Sequence, residues 1–183
     1  LSGFYCASYL DFIGLQYISA SLERMVLYIY PTLVLLISAI FFKQKISKIQ
    51  YIALALSYIG VAIIFSGKIS TVGNSNPLLG AFFVFFAALT YAIFLVGSGQ
   101  LLPRIGTRRF TAYSMIAAAT AVLLHNTIAN GFDLLKYPLE IYGIALFMAV
   151  FATVVPTFMI AEGIRIIGAN NSSIIGAIGP VST

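Results

Sequence analysis

Few side chains in this sequence can do chemistry, and they fall into small groups. Asp11 stands inside an apolar run, about seven residues from its end. An ionisable group in such a place is costly, and it marks a polar cavity, a proton site or a buried pair. Depth alone does not separate a proton relay from structural pairing. Glu23 and Arg24 open the next apolar run. A first-turn Glu is favoured by the helix dipole and a long Arg snorkels toward water, so this pair reads first as helix-end chemistry and second as a ligand or gate contact. Asn170 and Asn171 hold the matching place further on, where capping is the plain role. Tyr9, Tyr28, Tyr30 and Tyr91 each offer an aromatic body with a polar tip, suited to a cavity wall but equally to packing or an interface. Tyr28 stands out, one turn before Pro31.

Hydrolytic chemistry is weighed and set aside. His125 and the Ser98 of a Gly-Ser-Gly run invite a serine nucleophile with its base. The expected elements put them at opposite ends of two neighbouring helices, on the order of 25 Å apart, far beyond a hydrogen bond. His125 then reads as a solvated loop residue. There is no HExxH, no CxxC and no phosphate-binding glycine loop. Cys6 is the single cysteine, so neither a disulfide framework nor a metal cluster is expected. No metal and no cofactor is expected, and ATP-driven work would require another subunit.

The elements that must position these residues are written twice. Gly14 to Pro31, GLQYISASLERMVLYIYP, lies over Gly163 to Pro180, GIRIIGANNSSIIGAIGP, without gaps. Gly14 meets Gly163, Ile18 meets Ile167, Ala20 meets Ala169 and Pro31 meets Pro180. In each copy a helix ends, a tight polar turn follows, and a new apolar helix is interrupted by proline after about ten residues. At about 1.5 Å per residue, each proline would lie roughly 15 Å in, near the middle of a bilayer of about 30 Å. Proline removes one donor and releases the carbonyl four residues back, here Leu27 and Gly176. Matched Gly/Pro interruptions in two halves of a membrane protein point to a transport site.

Composition agrees. The chain has 183 residues, 61% of them hydrophobic and 8% charged, with a mean hydropathy of +1.02. A soluble domain carries roughly a quarter charged residues, and a soluble helical bundle needs polar faces that these segments lack. The net charge of +5 sits in short loops between apolar spans, which is an orientation signal rather than a nucleic-acid patch. No signal peptide is present. Leu1 lies inside one apolar run and Thr183 inside another, which reads as a fragment.

In order, helices are expected over about 1–18, 22–42, 49–66, 79–97, 110–125 and 141–161, with a further one beginning near Asn170. The fifth is short for a membrane crossing. A long loop, NTIANGFDLLKYPLE, precedes the sixth. Each span must be helical to satisfy its backbone within lipid. Small residues at four-residue spacing, Ala53 with Ser57 and Ala117 with Ala121, would allow close packing. Lys43, Lys45, Lys48, Arg104, Arg108, Arg109 and Arg165 fall on one side, against Arg24, Lys68 and Lys136 on the other. The first side is therefore expected to be cytoplasmic, with loops 43–48, 99–109 and 162–169. The sequon at Asn170 faces that side, so glycosylation is not expected.

The first two helices match the sixth and seventh. The shift is odd, so the second unit must sit upside down, an inverted-topology repeat. The fold expected is all-α, a polytopic membrane helix bundle built as an inverted repeat of two five-helix units, truncated at both ends.

The residues also carry a family resemblance. SASLERMVLYIYPTLVLLISAIFFKQKISKIQYIALALSYIGVAIIF resembles the end of a first EamA domain, of the drug/metabolite transporter superfamily. GAFFVFFAALTYAIFLVGSGQLL resembles the opening of a second EamA domain, and GANNSSIIGAIGPVST its penultimate helix. KQKIS replaces the acidic loop residue usual in that family, so no role of that carboxylate carries over. The resemblance implies the third to ninth of ten helices, with 1–67 closing the first repeat, 68–78 an outer linker and 79–183 the second repeat. It also implies a bacterial inner-membrane carrier of small metabolites, often an exporter.

The reading is a secondary-type transporter working by alternating access, not an enzyme. Its substrate pathway is drawn from Asp11, Tyr9, Glu23, Arg24, Tyr28, Pro31, Tyr91, Asn170, Asn171 and Pro180. Its partners are the lipid bilayer and a small-molecule substrate, with a homodimer left open and no nucleic acid. A channel, and a non-transporting sensor or assembly protein, remain as rivals; saturable counterflow separates them.

Overall fold

The computed structural model describes residues 2–65, 76–131 and 137–177. The helices are α1 (Ser2–Leu15), α2 (Ala20–Leu27), α3 (Tyr30–Phe42), α4 (Lys48–Phe65), α5 (Pro77–Ile105), α6 (Thr107–Asn130), α7 (Leu139–Met148) and α8 (Val155–Gly176). A π-helical stretch, Ala149–Val154, joins α7 to α8. No strand occurs among the described residues. Four stretches are long and apolar enough to cross a membrane: Ala20–Phe42, Pro77–Ile105, Thr107–Ala129 and Leu139–Gly176. The protein is an all-α polytopic helix bundle, as expected where no water is present to satisfy a broken backbone ladder.

α5 is the spine. Its 29 residues span about 44 Å, well beyond the hydrocarbon core of a bilayer. The expectation that this helix stops at Gly97 is corrected: it runs on through Pro103 and ends at Gly106, whose φ of +85° suits glycine. α5 buries Gly80, Val84, Ala87, Ala88, Ala92 and Leu95 against α1, α2, α3 and α8. These small residues let backbones approach. The pairs expected to do so, Ala53 with Ser57 and Ala117 with Ala121, are only half-buried.

Close approach is sharpest between α1 and α5. A Cβ on Gly14 would come within 2.5 Å of Val84 Cγ2 and 3.1 Å of the Gly80 carbonyl. A Cβ on Gly80 would lie 2.7 Å from Ile18 and 2.9 Å from Tyr17. Gly3 faces Phe94 at the other end of the crossing, so α1 and α5 run antiparallel.

Other boundaries move as well. α1 stops at Leu15, so Asp11 stands one turn, about 6 Å, from its end instead of two. α6 has 24 residues and is not short; it absorbs His125 and Asn126, which were expected to be loop. The segment 162–169 is helical except at Gly168, where φ +81° and ψ 162° break α8. The expected second helix is two helices. Tyr28 and Ile29 form a turn between α2 and α3, and Pro31 sits in the first turn of α3. There its missing donor is harmless and its fixed φ favours helix initiation.

Most of the expected 68–78 linker, the middle of the loop before α7, and Pro180 lie outside the described residues.

Candidate functional site

Three polar regions stand out in an otherwise apolar bundle. The first is the seam where the two written copies meet. α8 ends at Gly176, the counterpart of Leu27, so both copies break at the same place. Tyr28 is 3% exposed, and its hydroxyl donates to the Ala177 carbonyl at 2.7 Å. That carbonyl follows the end of α8. Tyr30 donates to the Ser173 carbonyl at 3.1 Å. A Cβ on Gly176 would lie 2.8 Å from the Tyr30 hydroxyl, so glycine makes room for it. As α3 advances from Tyr28 to Tyr30, its partners on α8 recede from Ala177 to Ser173, so the two segments run antiparallel. Pro31 is fully buried and does not face lipid. Tyr91 of α5 packs edge-on against Tyr30 at 5.3 Å between ring centres, and Tyr58 of α4 against Tyr28 at 5.8 Å. Tyr58 also shares a hydrogen bond with Thr32.

The second region is a carboxyl pair. Ser19 caps α2 by accepting from the Leu22 amide at 3.4 Å, which sets Glu23 in the first turn. Glu23 is 7% exposed and lies near enough to Asp11 for the two carboxyl groups to act on each other. Two carboxyl groups brought together inside a membrane repel each other when both are charged. Arg24, beside Glu23, is exposed and close enough to act on its charge. Helix-dipole stabilisation alone therefore does not describe Glu23: its side chain turns inward.

The third region gathers the three segments that the basic residues place in the cytoplasm. Asn170 donates to Gln44 Oε1 at 3.2 Å, and Gln50 donates to Asn171 Oδ1 at 2.8 Å. Asn171 also donates to the Ile167 carbonyl at 3.0 Å. The capping role expected of these asparagines is thus replaced by ties from α8 to the α3–α4 connection and to the first turn of α4. They border a cavity of about 400 Å³ with Gln100, Lys45 and Ser38. Nearby, Thr107 donates to Glu162 at 2.6 Å, and Arg165 is paired with the same carboxylate.

His125 was the residue misread. It is half-buried within α6, hydrogen-bonded to the Tyr5 hydroxyl through Nδ1, and edge-on to the Tyr9 ring at 5.2 Å. All three line a cavity of about 740 Å³. Ser98 instead donates to the Phe94 carbonyl at 2.6 Å, within its own helix. Tyr9, 46% exposed, faces this cavity. The one signal for His125 in the sequence was a five-residue extension of an alanine-rich helix, which loop-like Asn and Thr residues concealed. Among the described residues no group of His, Cys, Asp or Glu is placed to hold a metal ion.

Broken helices meeting in antiparallel fashion around polar seams, inside an apolar bundle, make this a polytopic membrane protein. Comparison with known families agrees: residues 1–66 and 78–183 match the EamA-like transporter family, and the chain belongs to it. It is 37% identical to "Uncharacterized transporter YcbK" of Bacillus subtilis over 98% of this chain and 59% of that protein. It is 26% identical to "Uncharacterized transporter YyaM" of the same organism, over 95% of this chain and 58% of that one. The chain thus spans less than two thirds of these relatives. No solved structure matches it. The family and the membrane-length helices make this an integral membrane protein of the bacterial inner-membrane type.

Proposed function

We propose that the intact protein is a secondary carrier that moves a small metabolite by alternating access, in the export direction. The observation that carries this reading is the Tyr28–Ala177 hydrogen bond, which joins equivalent positions of the two copies at their helix breaks. Residue and counterpart can touch only near the axis that relates the two units. Around such an axis one unit can rock against the other while the centre stays put. In this reading 1–67 belongs to the first repeat and 79–183 to the second, with 68–78 as the outer linker.

Each polar region then has a task. The Tyr28, Tyr30, Tyr91 and Pro31 cluster forms the fixed centre. Asp11 and Glu23, with Arg24 at the rim, hold and release a proton as the carrier turns over. The Asn170 and Asn171 ties close the cytoplasmic end. Tyr9 lines the wall of the pathway. Export follows from the family resemblance. A catalytic role has no support in the arrangement of Ser98 and His125.

The test is counterflow in vesicles that contain the intact reading frame, over a panel of metabolites. Saturable uptake accelerated by the same compound on the far side marks a carrier. Flux that grows linearly without acceleration marks a channel, and specific binding without flux marks a sensor. Either of those results overturns the proposal.

A further inference from the structure

The 740 Å³ cavity lies apart from the central seam, between α1, α6 and the π-helical stretch with the start of α8. This volume falls in the range of about 300–1,000 Å³ typical of sites for small organic molecules. Its body is apolar, with Phe12, Met115, Ile116 and Val122 among the walls. Its hydrogen-bonding groups include Tyr5, Tyr9 and His125, together with Ser8 and Thr153. Among the described residues no Asp, Glu, Lys or Arg lines it. A groove meant only for acyl chains needs no such cluster, whereas polar side chains at membrane depth face interiors or cavities.

The third wall is irregular for a local reason. Pro156 lacks a donor, and the helix before it widens to π geometry over Ala149–Val154. Ala149, Thr153, Val154 and Thr157 line the cavity from this segment. π-bulges are rare and are found frequently at functional sites. α1 separates the cavity from the carboxyl pair: Tyr5, Ser8, Tyr9 and Phe12 face the cavity, while Asp11 faces Glu23.

We infer that this cavity is the carrier's binding site for an uncharged, mainly apolar organic molecule, anchored by one hydrogen bond to the His125 ring. The inference rests on the carrier reading above and names its substrate class. With no countercharge among the described wall residues, a phosphate, a carboxylate or an ammonium group would lose its hydration without replacement. An apolar body of drug size loses nothing and gains the burial of its surface. One ring nitrogen of His125 is committed to Tyr5; the other is the group that a ligand hydroxyl or carbonyl would meet.

The probes are tritiated 2-naphthol, uncharged at pH 7, and 2-naphthoate, the same body with a charge. Both are measured by equilibrium binding to the intact protein in lipid nanodiscs, against empty nanodiscs. Saturable binding of 2-naphthol but not of 2-naphthoate is expected. His125→Leu should weaken it roughly 5- to 10-fold, the loss of one hydrogen bond, and Ala119→Trp, which fills the cavity, should abolish it. Equal or better binding of the naphthoate, or unchanged binding to Ala119→Trp, overturns the inference.

A gentler variant guards against misfolding. In a Cys6→Ala background, Ala119→Cys should react with a water-soluble maleimide and be protected by 2-naphthol. A thiol already unreactive without probe means that an acyl chain or another helix fills the space, and the inference fails. Binding is read without flux, so the two proposals part cleanly. Binding with no counterflow sinks the carrier and leaves the site; counterflow with the probe bound elsewhere sinks the site and leaves the carrier.

Discussion

Tyr28 and Ala177 stand 149 positions apart and are joined by a 2.7 Å hydrogen bond between hydroxyl and carbonyl. The same offset superposes Gly14 on Gly163 and Pro31 on Pro180. The bond therefore links one residue to its own equivalent in the other copy, at the point where both helices break. Both partners are buried, so neither has water as a substitute. This contact ties the written repeat to the folded seam.

Tyr28→Phe keeps the ring and removes the donor. The buried Ala177 carbonyl then loses this bond, at a cost of about 1 to 3 kcal/mol. Thermal unfolding of the intact protein in detergent should show that loss. Tyr51→Phe on α4, at a ring 57% exposed, should stay within about 0.5 kcal/mol of wild type.

Gly168→Ala places a side chain where φ is +81° and ψ 162°, a region open to glycine alone. The strain is about 1 to 3 kcal/mol. It falls between the Glu162–Arg165 pair and the asparagine ties, so counterflow should drop along with the melting temperature. Gly97→Ala is the control. Gly97 is helical with nothing within 4 Å of a new Cβ, and alanine should stabilise by up to about 1 kcal/mol there.

Gly80→Ala drives a methyl into Ile18, the Tyr17 Cβ and the Gly14 carbonyl. Because backbone must yield, α1 and α5 should separate, at about 1 to 3 kcal/mol. Gly60→Ala on α4 meets nothing within 4 Å and should be tolerated. Melting curves of the pair settle the matter; equal stability would remove α1–α5 contact from the account of the core.

Gln44→Ala cuts the tie between α8 and the α3–α4 connection, and Gln50→Ala cuts the tie between α8 and the first turn of α4. Each bond is worth about 0.5 to 1.5 kcal/mol. Opening at the cytoplasmic end should rise by about 2- to 12-fold for each substitution, converted at RT. Alkylation of a Gln100→Cys probe, in a Cys6→Ala background, reads the change. An unaltered rate would make the ties structural only.

Asp11→Asn and Glu23→Gln each leave a single carboxyl without its neighbouring acid. The counterflow rate of wild type should vary with pH, and that profile should flatten in both variants. Unchanged uptake with unchanged pH dependence removes the pair from the mechanism and leaves it as packing.

Much of this was legible because lipid leaves so few choices. Apolar runs must be helices, loop charge sets orientation, and the matched Gly and Pro of 14–31 and 163–180 announced the repeat. The break after Leu27 fell where Pro31 releases a carbonyl. What was misread had weak local signals. His125 looked solvated because Asn126 and Thr127 follow it, yet α6 continues for five residues. The π-helical stretch before Pro156 has no composition of its own. Ala53, Ser57, Ala117 and Ala121 had the spacing of packing residues, but a spacing does not say which helix has a neighbour.

By itself, the sequence determined that the chain spans membranes as helices and that two segments are equivalent. Both follow from the period and composition of the chain, which act locally on each span. Only the tertiary structure decided that Tyr28 meets Ala177, that Glu23 turns inward to Asp11, and that His125 joins Tyr5 and Tyr9 at a cavity. Those pairings depend on how helices rotate about their axes and against which neighbours they pack. In an almost uniformly apolar chain, no polar face records that rotation.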